Sequence, residues 1–351
     1  MKFDHGYALL IGADVHLPIV VEDVGAIYDV LVDERRAGYP EAQVRVLGGG
    51  GATRGGILDA LDWLADRAAQ DAQSTVLVYY SGHGGRFERQ NHLDDYYLIP
   101  EGYDDNDRQG TTVSGIEFTT KIQRIASQAK KLAVCLDCCH AAGIPTAKGQ
   151  PVAFVKSPAP PQLLALEGGT GVVILASSRD GEKSYYGPKY SCFTECLLEA
   201  MAGMGSVTED GYVRILEVLI YLFDHVPAKA SGQGSQHPLV KTILDLGDNF
   251  PVCFYAGGEK ALPVATPVVR PPLDASAWET GRLGAWFGVL ERERDLRMQK
   301  VSHIREQLPV TLDPVMVFSL QEHLLREEVE LFQLEQQIRS ILSQLEERRG
   351  R

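Results

Sequence analysis

The chain has 351 residues, of which 44% are hydrophobic and 23% are charged, and its net charge is −13. This is the composition of a soluble globular protein, and the acidic balance argues against general affinity for nucleic acid or an anionic membrane, since both are themselves negative. The six cysteines are too sparse for a secreted disulfide framework, and the N-terminal apolar run is too short for a signal peptide or a membrane span. We therefore expect a reduced, cytoplasmic protein.

Apolar runs alternate with amphipathic segments over residues 1–257. Short continuous apolar runs suit strands that are covered on both faces, so this order predicts an α/β domain built around a mostly parallel sheet. The predicted strands are Tyr7–Gly12, Gln43–Leu47, Thr75–Tyr80, Leu132–Leu136, Gly171–Ala176 and, as the last, Pro251–Tyr255. The predicted helices of this region include Val21–Arg36, Thr53–Ala69 and a helix that carries Cys192 and Cys196.

The segment Ile144–Gly169, between the fourth and fifth strands, is rich in proline and lacks periodicity. It predicts a long exposed loop that contains Lys148 and Lys156. Structureless loops of this length inside a compact domain are usually functional or disordered.

A change of composition near residue 257 predicts a second domain. Residues 258–275 are proline-rich and resemble a linker, and 276–351 are predicted to form a helical adaptor or regulatory domain. Its two long helices are expected at Trp278–Gln307 and Val315–Arg348. The second carries apolar residues at alternating spacings of three and four, which is the seam of a short coiled coil: Leu331, Leu334, Ile338, Ile341 and Leu345. A helical hairpin and an intermolecular seam both remain open.

Two short motifs carry the chemistry, and each follows a predicted strand: Ser81–Gly85 (SGHGG) and Asp137–Gly143 (DCCHAAG). Catalytic groups gather at the carboxyl ends of strands in open α/β sheets. A thiol needs a nearby base to become a thiolate, and histidine titrates in the right range. We therefore predict that His83 is the general base and Cys139 the nucleophile. The backbone N–H groups of Gly84 and Cys139 are candidate donors to the oxyanion.

Two other interpretations stay open. Cys135 and Cys138 form a CxxC motif, which can indicate thiol redox chemistry or a zinc site, but the sequence has no second CxxC to complete a zinc site, so no metal site is predicted. The second alternative is a catalytically silent scaffold that acts through its C-terminal helices.

Together, SGHGG and DCCHAAG resemble the histidine and cysteine motifs of the caspase-like cysteine peptidases, in particular the metacaspase and prokaryotic caspase-like branch. Further similarities lie at Tyr7–Ala13, Asp95–Pro100, Ile174–Glu182, Cys192–Met201 and Gln236–Pro238. The resemblance spans roughly Lys2–Gly257. It implies a caspase-like, mostly parallel sheet sandwiched by helices, and an endopeptidase that acts on protein substrates.

The resemblance also implies an acidic pocket formed by Asp23 and Asp137 with Ser81. Such a pocket would select arginine or lysine before the scissile bond. Cys138 departs from the family, where serine or alanine usually precedes the nucleophile.

Further expectations concern ions, processing and partners. Thr112–Gly115 lacks the acidic pair of calcium-activated metacaspases, so no cofactor is expected, although Asp104, Asp105 and Asp107 are an alternative ion site. Lys148 and Lys156 are candidate sites of self-cleavage. The family also suggests an upstream sensor that binds the C-terminal helices, and a role in stress or antiviral defence.

Overall fold

The computed structural model describes two compact units, Met1–Val269 and Arg270–Arg351. The described residues of the first unit are 3–13, 18–48, 50–89, 92–139, 153–156, 160, 163, 171–179, 181–208, 210–244 and 246–255. Of these, the backbone alone is described at 18, 86–89, 92–95, 105, 139, 153–156 and 241–244. In the second unit the described residues are separate positions between 294 and 342.

The first unit alternates strands with helices, as the sequence predicts. Its strands are β1 Gly6–Ala13, β2 Val44–Leu47, β3 Thr75–Arg89, β4 His92–Ile99, β5 Val113–Ser114, β6 Lys131–Cys139, β7 Ala153–Lys156, β8 Val172–Ala176, β9 Tyr212–Arg214, β10 Leu239–Leu244 and β11 Pro251–Phe254. Its helices are α1 Pro18–Val32, α2 Arg54–Ala69, α3 Arg108–Thr111, α4 Gly115–Gln128, α5 Cys192–Met201 and α6 Ile215–Ala230.

The central sheet has the strand order β10-β8-β6-β3-β1-β2. Neighbours along this path are parallel, apart from β10, which runs antiparallel to β8. Beyond the parallel core, the far half of β3 pairs with β4 and β7, and β4 also pairs with β5. The predicted α/β class with a mostly parallel sheet between helices is confirmed.

Two apolar cores lie on opposite faces of this sheet. The first packs α1, α5 and α6 against alternate strand residues such as Tyr79 and Cys135. The second packs α2 and α4 against the residues between them, such as Tyr80 and Cys138. Successive strand residues point to opposite faces, so adjacent residues of one strand belong to different environments. Cys135 and Leu136 in β6, for example, belong to different cores.

Polar residues begin three of the helices. Thr53 accepts a hydrogen bond from the Gly56 N–H at the start of α2, and Ser114 forms a capping box with Glu117 at the start of α4. Ser191 caps α5 by accepting a hydrogen bond from the Thr194 N–H. These caps satisfy N–H groups that would otherwise lack a partner.

Three sequence-based predictions of local structure need correction. The segment predicted as the last strand does form one, β11, but it pairs with β9 in a separate two-stranded sheet. The edge of the central sheet is β10 (LVKTIL), which the sequence analysis missed because polar Lys241 and Thr242 interrupt its apolar run. The loop 144–169 is not structureless throughout, since β7 lies within it and pairs with β3.

The described residues of the second unit are helical, and they fall inside the two helices that the sequence predicts. Val301 and Ile304 in the first helix and Ile338 in the second are buried. Ile338 is one of the predicted seam positions. The domain boundaries themselves stay a prediction. Across the described residues of both units, none of the helices combines the length and the apolarity needed to cross a membrane.

Candidate active site

Strands β3 and β6 bring the two sequence motifs together. They are parallel neighbours, and in their register His83 lies opposite Cys139 and Ser81 opposite Asp137. Neighbouring strands lie about 4.8 Å apart, so residues distant in sequence become adjacent here. The motifs were predicted to follow the strands, but β3 continues to Arg89 and β6 includes Cys139. The site is therefore built on paired strand ends rather than on loops.

His83 is held in a closely packed position. It is only 9% exposed, and the hydroxyl of buried Tyr80 donates a 2.9 Å hydrogen bond to its backbone carbonyl. Gly82 makes this approach possible, because a Cβ there would lie 2.5 Å from the Ala13 carbonyl oxygen and 2.9 Å from the Tyr80 hydroxyl oxygen. The glycine before His83 is thus required by packing.

Gly84 is required for a similar reason. A Cβ at this position would collide with the Tyr96 hydroxyl and would lie 2.8 Å from the Cys138 sulfur. The two glycines around His83 therefore accommodate two tyrosines beneath the strand. The role of the Gly84 and Cys139 amides as oxyanion donors stays a prediction.

Cys138 belongs to the core on the α2 and α4 side. Its sulfur lies 3.2 Å from the Tyr96 hydroxyl, and burial raises the pKa of its thiol to about 12. A thiol with such a pKa stays protonated at neutral pH and is a poor nucleophile. Of Cys139 the backbone position alone is described, in register with His83.

The positions of Cys135 and Cys138 in β6 exclude the CxxC interpretation. Cys135 packs in the core on the α1 and α5 side, whereas Cys138 packs on the other face of the sheet. Thiols three positions apart in one strand point in opposite directions, so they cannot share a metal ion or form a disulfide with each other. The part of the chain that the structure describes holds no group of three or more His, Cys, Asp or Glu residues arranged to bind a metal.

The three residues predicted to form an acidic pocket lie together in a buried group, and their role in substrate binding stays a prediction. Asp23, Asp137 and Ser81 are fully buried, and the Ser81 hydroxyl donates to Asp23 Oδ2 at 3.4 Å. Asp23 lies on α1, which begins at Pro18, so this carboxylate sits in the second turn and not at the helix start as predicted. The helix dipole at the N-terminus therefore does not explain why an acid is buried here.

Two polar residues at the start of α5, Ser191 and Thr194, complete this buried group, and the sequence analysis missed both. The Ser191 backbone N–H donates to Asp23 Oδ1 at 3.0 Å, and the Ser191 hydroxyl donates to Asp137 Oδ2 at 2.5 Å. Thr194 donates to the same oxygen of Asp137 at 3.3 Å, and its hydroxyl lies 2.6 Å from that of Tyr79. The sequence signal that could have identified Ser191 is its position directly before the helix 192–201, where an N-cap residue is expected.

Burial and the nearby charge of Asp137 raise the pKa of Asp23 well above its usual value. Hydrogen bonds from Ser191 and Ser81 act in the opposite direction, because they stabilise the carboxylate. Two buried carboxyl groups that repel each other are costly to keep ionised at the same time. Neutralising them would remove both the repulsion and part of the desolvation cost.

Residues 5–245 match the family model of the caspase domain. The chain belongs to the caspase-domain family. This is a family of cysteine peptidases, and the match covers the central sheet from β1 to β10. The search of curated proteins finds no match.

Two further segments of the caspase domain are joined by hydrogen bonds beside the end of β8. Gln236 donates to the Ser177 carbonyl at 3.1 Å and accepts from the Tyr185 N–H at 2.8 Å. His237 Nδ1 lies 2.7 Å from Glu182 Oε1. Although partial burial opposes it, hydrogen bonding to His237 lowers the pKa of Glu182. The sequence similarities at 174–182 and 236–238 thus correspond to one connected support.

The remaining predicted residues belong to the alternative ion site and to the self-cleavage sites. Asp104 and Asp107 each accept a backbone N–H at the start of a short helix, from Asn106 and Gly110 respectively. Lys156 lies in β7, with its backbone opposite Gly85. Lys148 lies outside the described residues, and Asp105 is described by its backbone alone.

Proposed function

We propose that this caspase-domain protein is a cysteine endopeptidase in which Cys139 is the nucleophile and His83 the general base. The observation that carries the proposal is the register of β3 and β6, which sets the two residues opposite each other at the sheet's catalytic end. The burial of Cys138 supports the choice between the adjacent cysteines, since the pKa of its thiol is about 12.

The reaction follows from these roles. His83 accepts the thiol proton, and the thiolate of Cys139 attacks the scissile carbonyl carbon. Backbone N–H groups of Gly84 and Cys139 stabilise the negative oxygen of the tetrahedral intermediate. His83 then donates its proton to the departing amine, which leaves an acyl-enzyme thioester. Water hydrolyses this thioester with His83 as the base and regenerates the thiol.

The specificity of this peptidase is for arginine or lysine before the scissile bond. Asp23 and Asp137 support this assignment, because they are buried together and are joined through Ser191. An aspartate side chain of a substrate would add a third negative group to this site. Electrostatics therefore disfavour the substrates of true caspases.

The helical unit would act as a docking or regulatory module for an upstream sensor in a stress or antiviral response. Burial of Val301, Ile304 and Ile338 supports stable helical packing within this unit. Cytoplasmic localisation fits the same picture, since a thiolate nucleophile requires reducing surroundings.

Self-cleavage after Lys148 or Lys156 would divide the domain after β6. The backbone of Lys156 is paired with β3, so cleavage there requires β7 to leave the sheet first. This pairing protects Lys156 from cleavage while β7 stays in the sheet.

The test is hydrolysis of fluorogenic peptides that end in Arg, Lys or Asp by the full-length protein and its His83→Ala variant. We expect rapid release after Arg or Lys and loss of this activity in the variant. Release after Asp would overturn the proposed specificity. An inactive wild-type protein would instead favour the scaffold interpretation.

A further inference from the structure

Ser191 contacts both carboxylates of the acidic pocket with different atoms. Its backbone N–H donates to Asp23 Oδ1 at 3.0 Å, and its hydroxyl donates to Asp137 Oδ2 at 2.5 Å. Ser191 is itself fully buried. It therefore links a carboxylate on α1 to a carboxylate on β6 through a residue of neither element.

The position of Ser191 is fixed by the helix that it begins. Its hydroxyl oxygen also accepts the Thr194 N–H at 2.9 Å, which caps α5. Further along α5, Glu195 and Glu199 form ion pairs with Lys229 of α6 at 3.0 and 2.8 Å. Because α5 is anchored to α6, Ser191 presents its two donors from a rigid support.

The hydrogen bonds of Ser191 affect the protonation of Asp23 and Asp137 and the relative orientation of the two carboxylates. Two like charges in a buried site favour protonation of one of them, whereas hydrogen bonds to a carboxylate favour its ionised form. Donors from one small residue also hold the two carboxylates in a constant relative orientation. Both effects matter most to a ligand that must engage two carboxylates at the same time.

We propose that Ser191 is a positioning residue that sets a preference for arginine over lysine before the scissile bond. This inference rests on the proposed peptidase function. A guanidinium group is planar and carries several N–H donors in a fixed geometry, so it depends on the orientation of both carboxylates. An ammonium group is a compact charge with rotatable donors, and it tolerates a displaced partner.

The experiment compares kcat and KM for matched Arg and Lys peptides in the full-length wild type and in Ser191→Ala. The variant keeps the N–H bond to Asp23 and loses the hydroxyl bond to Asp137. We expect KM for the Arg peptide to rise about tenfold, which is typical for the loss of a hydrogen bond to a charged group. KM for the Lys peptide should rise less, so the Arg-to-Lys ratio falls, and kcat should change little.

Two variants separate positioning from simple destabilisation. Ser114→Ala removes a comparable cap from α4, where Ser114 bonds Glu117 and not the pocket. It should lower the melting temperature as Ser191→Ala does and leave the Arg-to-Lys ratio unchanged. Ser191→Thr, which restores a hydroxyl, should recover most of the ratio.

If Ser191→Ala does not fold, Ser191→Gly replaces it, because glycine caps a helix almost as well as serine and also lacks the hydroxyl. An unchanged Arg-to-Lys ratio in a folded variant would overturn the inference and leave the proposed peptidase intact. A wild-type protein that cleaves neither peptide would instead overturn the proposed function.

Discussion

The two faces of the sheet differ sharply around the SGHGG motif. On the α2 and α4 side, Tyr80, Tyr96 and Cys138 form an apolar layer that closes against the glycines of the SGHGG motif. On the α1 and α5 side, Asp23, Asp137 and their hydroxyl partners are buried together. Alternate residues of the same two strands serve both faces. The carboxylates and their hydroxyl partners thus lie on one face, while the tyrosines of the other face support the backbone around His83.

The largest expected effect comes from comparing substitutions of the two adjacent cysteines, Cys138 and Cys139. Cys139→Ser should lower kcat by several orders of magnitude, because removing a nucleophile costs most of the catalysis. Cys138→Ser should keep most of the activity, since its thiol is buried and protonated at neutral pH. Initial rates on an Arg peptide measure both. An active Cys139→Ser beside an inactive Cys138→Ser would reverse the assignment.

The next largest effect concerns the charge of the pocket. Asp137→Asn should lower kcat/KM for an Arg peptide by at least about tenfold, since truncating one partner of a desolvated charge pair typically costs about 2–5 kcal/mol. Asp66→Asn, at an exposed position on α2, is the matched control and should have no effect. Equal rates in the Asp137 variant and the wild type would contradict the assignment of the pocket.

The two tyrosines of β3 provide a direct comparison of the faces. Tyr80→Phe removes the bond to the His83 carbonyl and should lower kcat by about fivefold, for a bond worth about 1 kcal/mol. Tyr79→Phe removes the contact with Thr194 and should raise KM with little change in kcat. Steady-state kinetics on one Arg peptide distinguish the two outcomes. If both variants changed the same constant, the division of labour between the faces would be wrong.

The smallest effect is on stability. Because burial and Asp137 raise the pKa of Asp23, the folded chain binds a proton there more tightly than the unfolded chain does. Its contribution to the free energy of unfolding therefore declines as the pH rises from about 4 through the folded-state pKa. Asp23→Asn should flatten this decline and raise the melting temperature at pH 8 relative to the wild type. A melting temperature that fell equally at every pH would exclude a raised pKa.

The sequence predicted the elements with continuous apolar runs well. Tyr7–Gly12 and Thr75–Tyr80 lie inside β1 and β3, and the helix predicted at Thr53–Ala69 is α2, Arg54–Ala69, with Thr53 as its N-cap. It failed for β10, because polar Lys241 and Thr242 interrupt the apolar run of this edge strand. Pairing with β8 stabilises that strand, and a local pattern does not report such a distant partner.

The resemblance to caspase-like peptidases supplied the three residues assigned to the pocket. The amino-acid sequence by itself determined the α/β class and the strands that carry His83 and Cys139. Local patterns suffice for these features, because a buried strand and a glycine-flanked histidine are recognisable within a few residues. Only the tertiary structure placed Ser191 between Asp23 and Asp137, and only it buried Cys138 on the opposite face from the pocket. Both depend on which helix covers which face of the sheet, and that follows from packing between segments far apart in the chain.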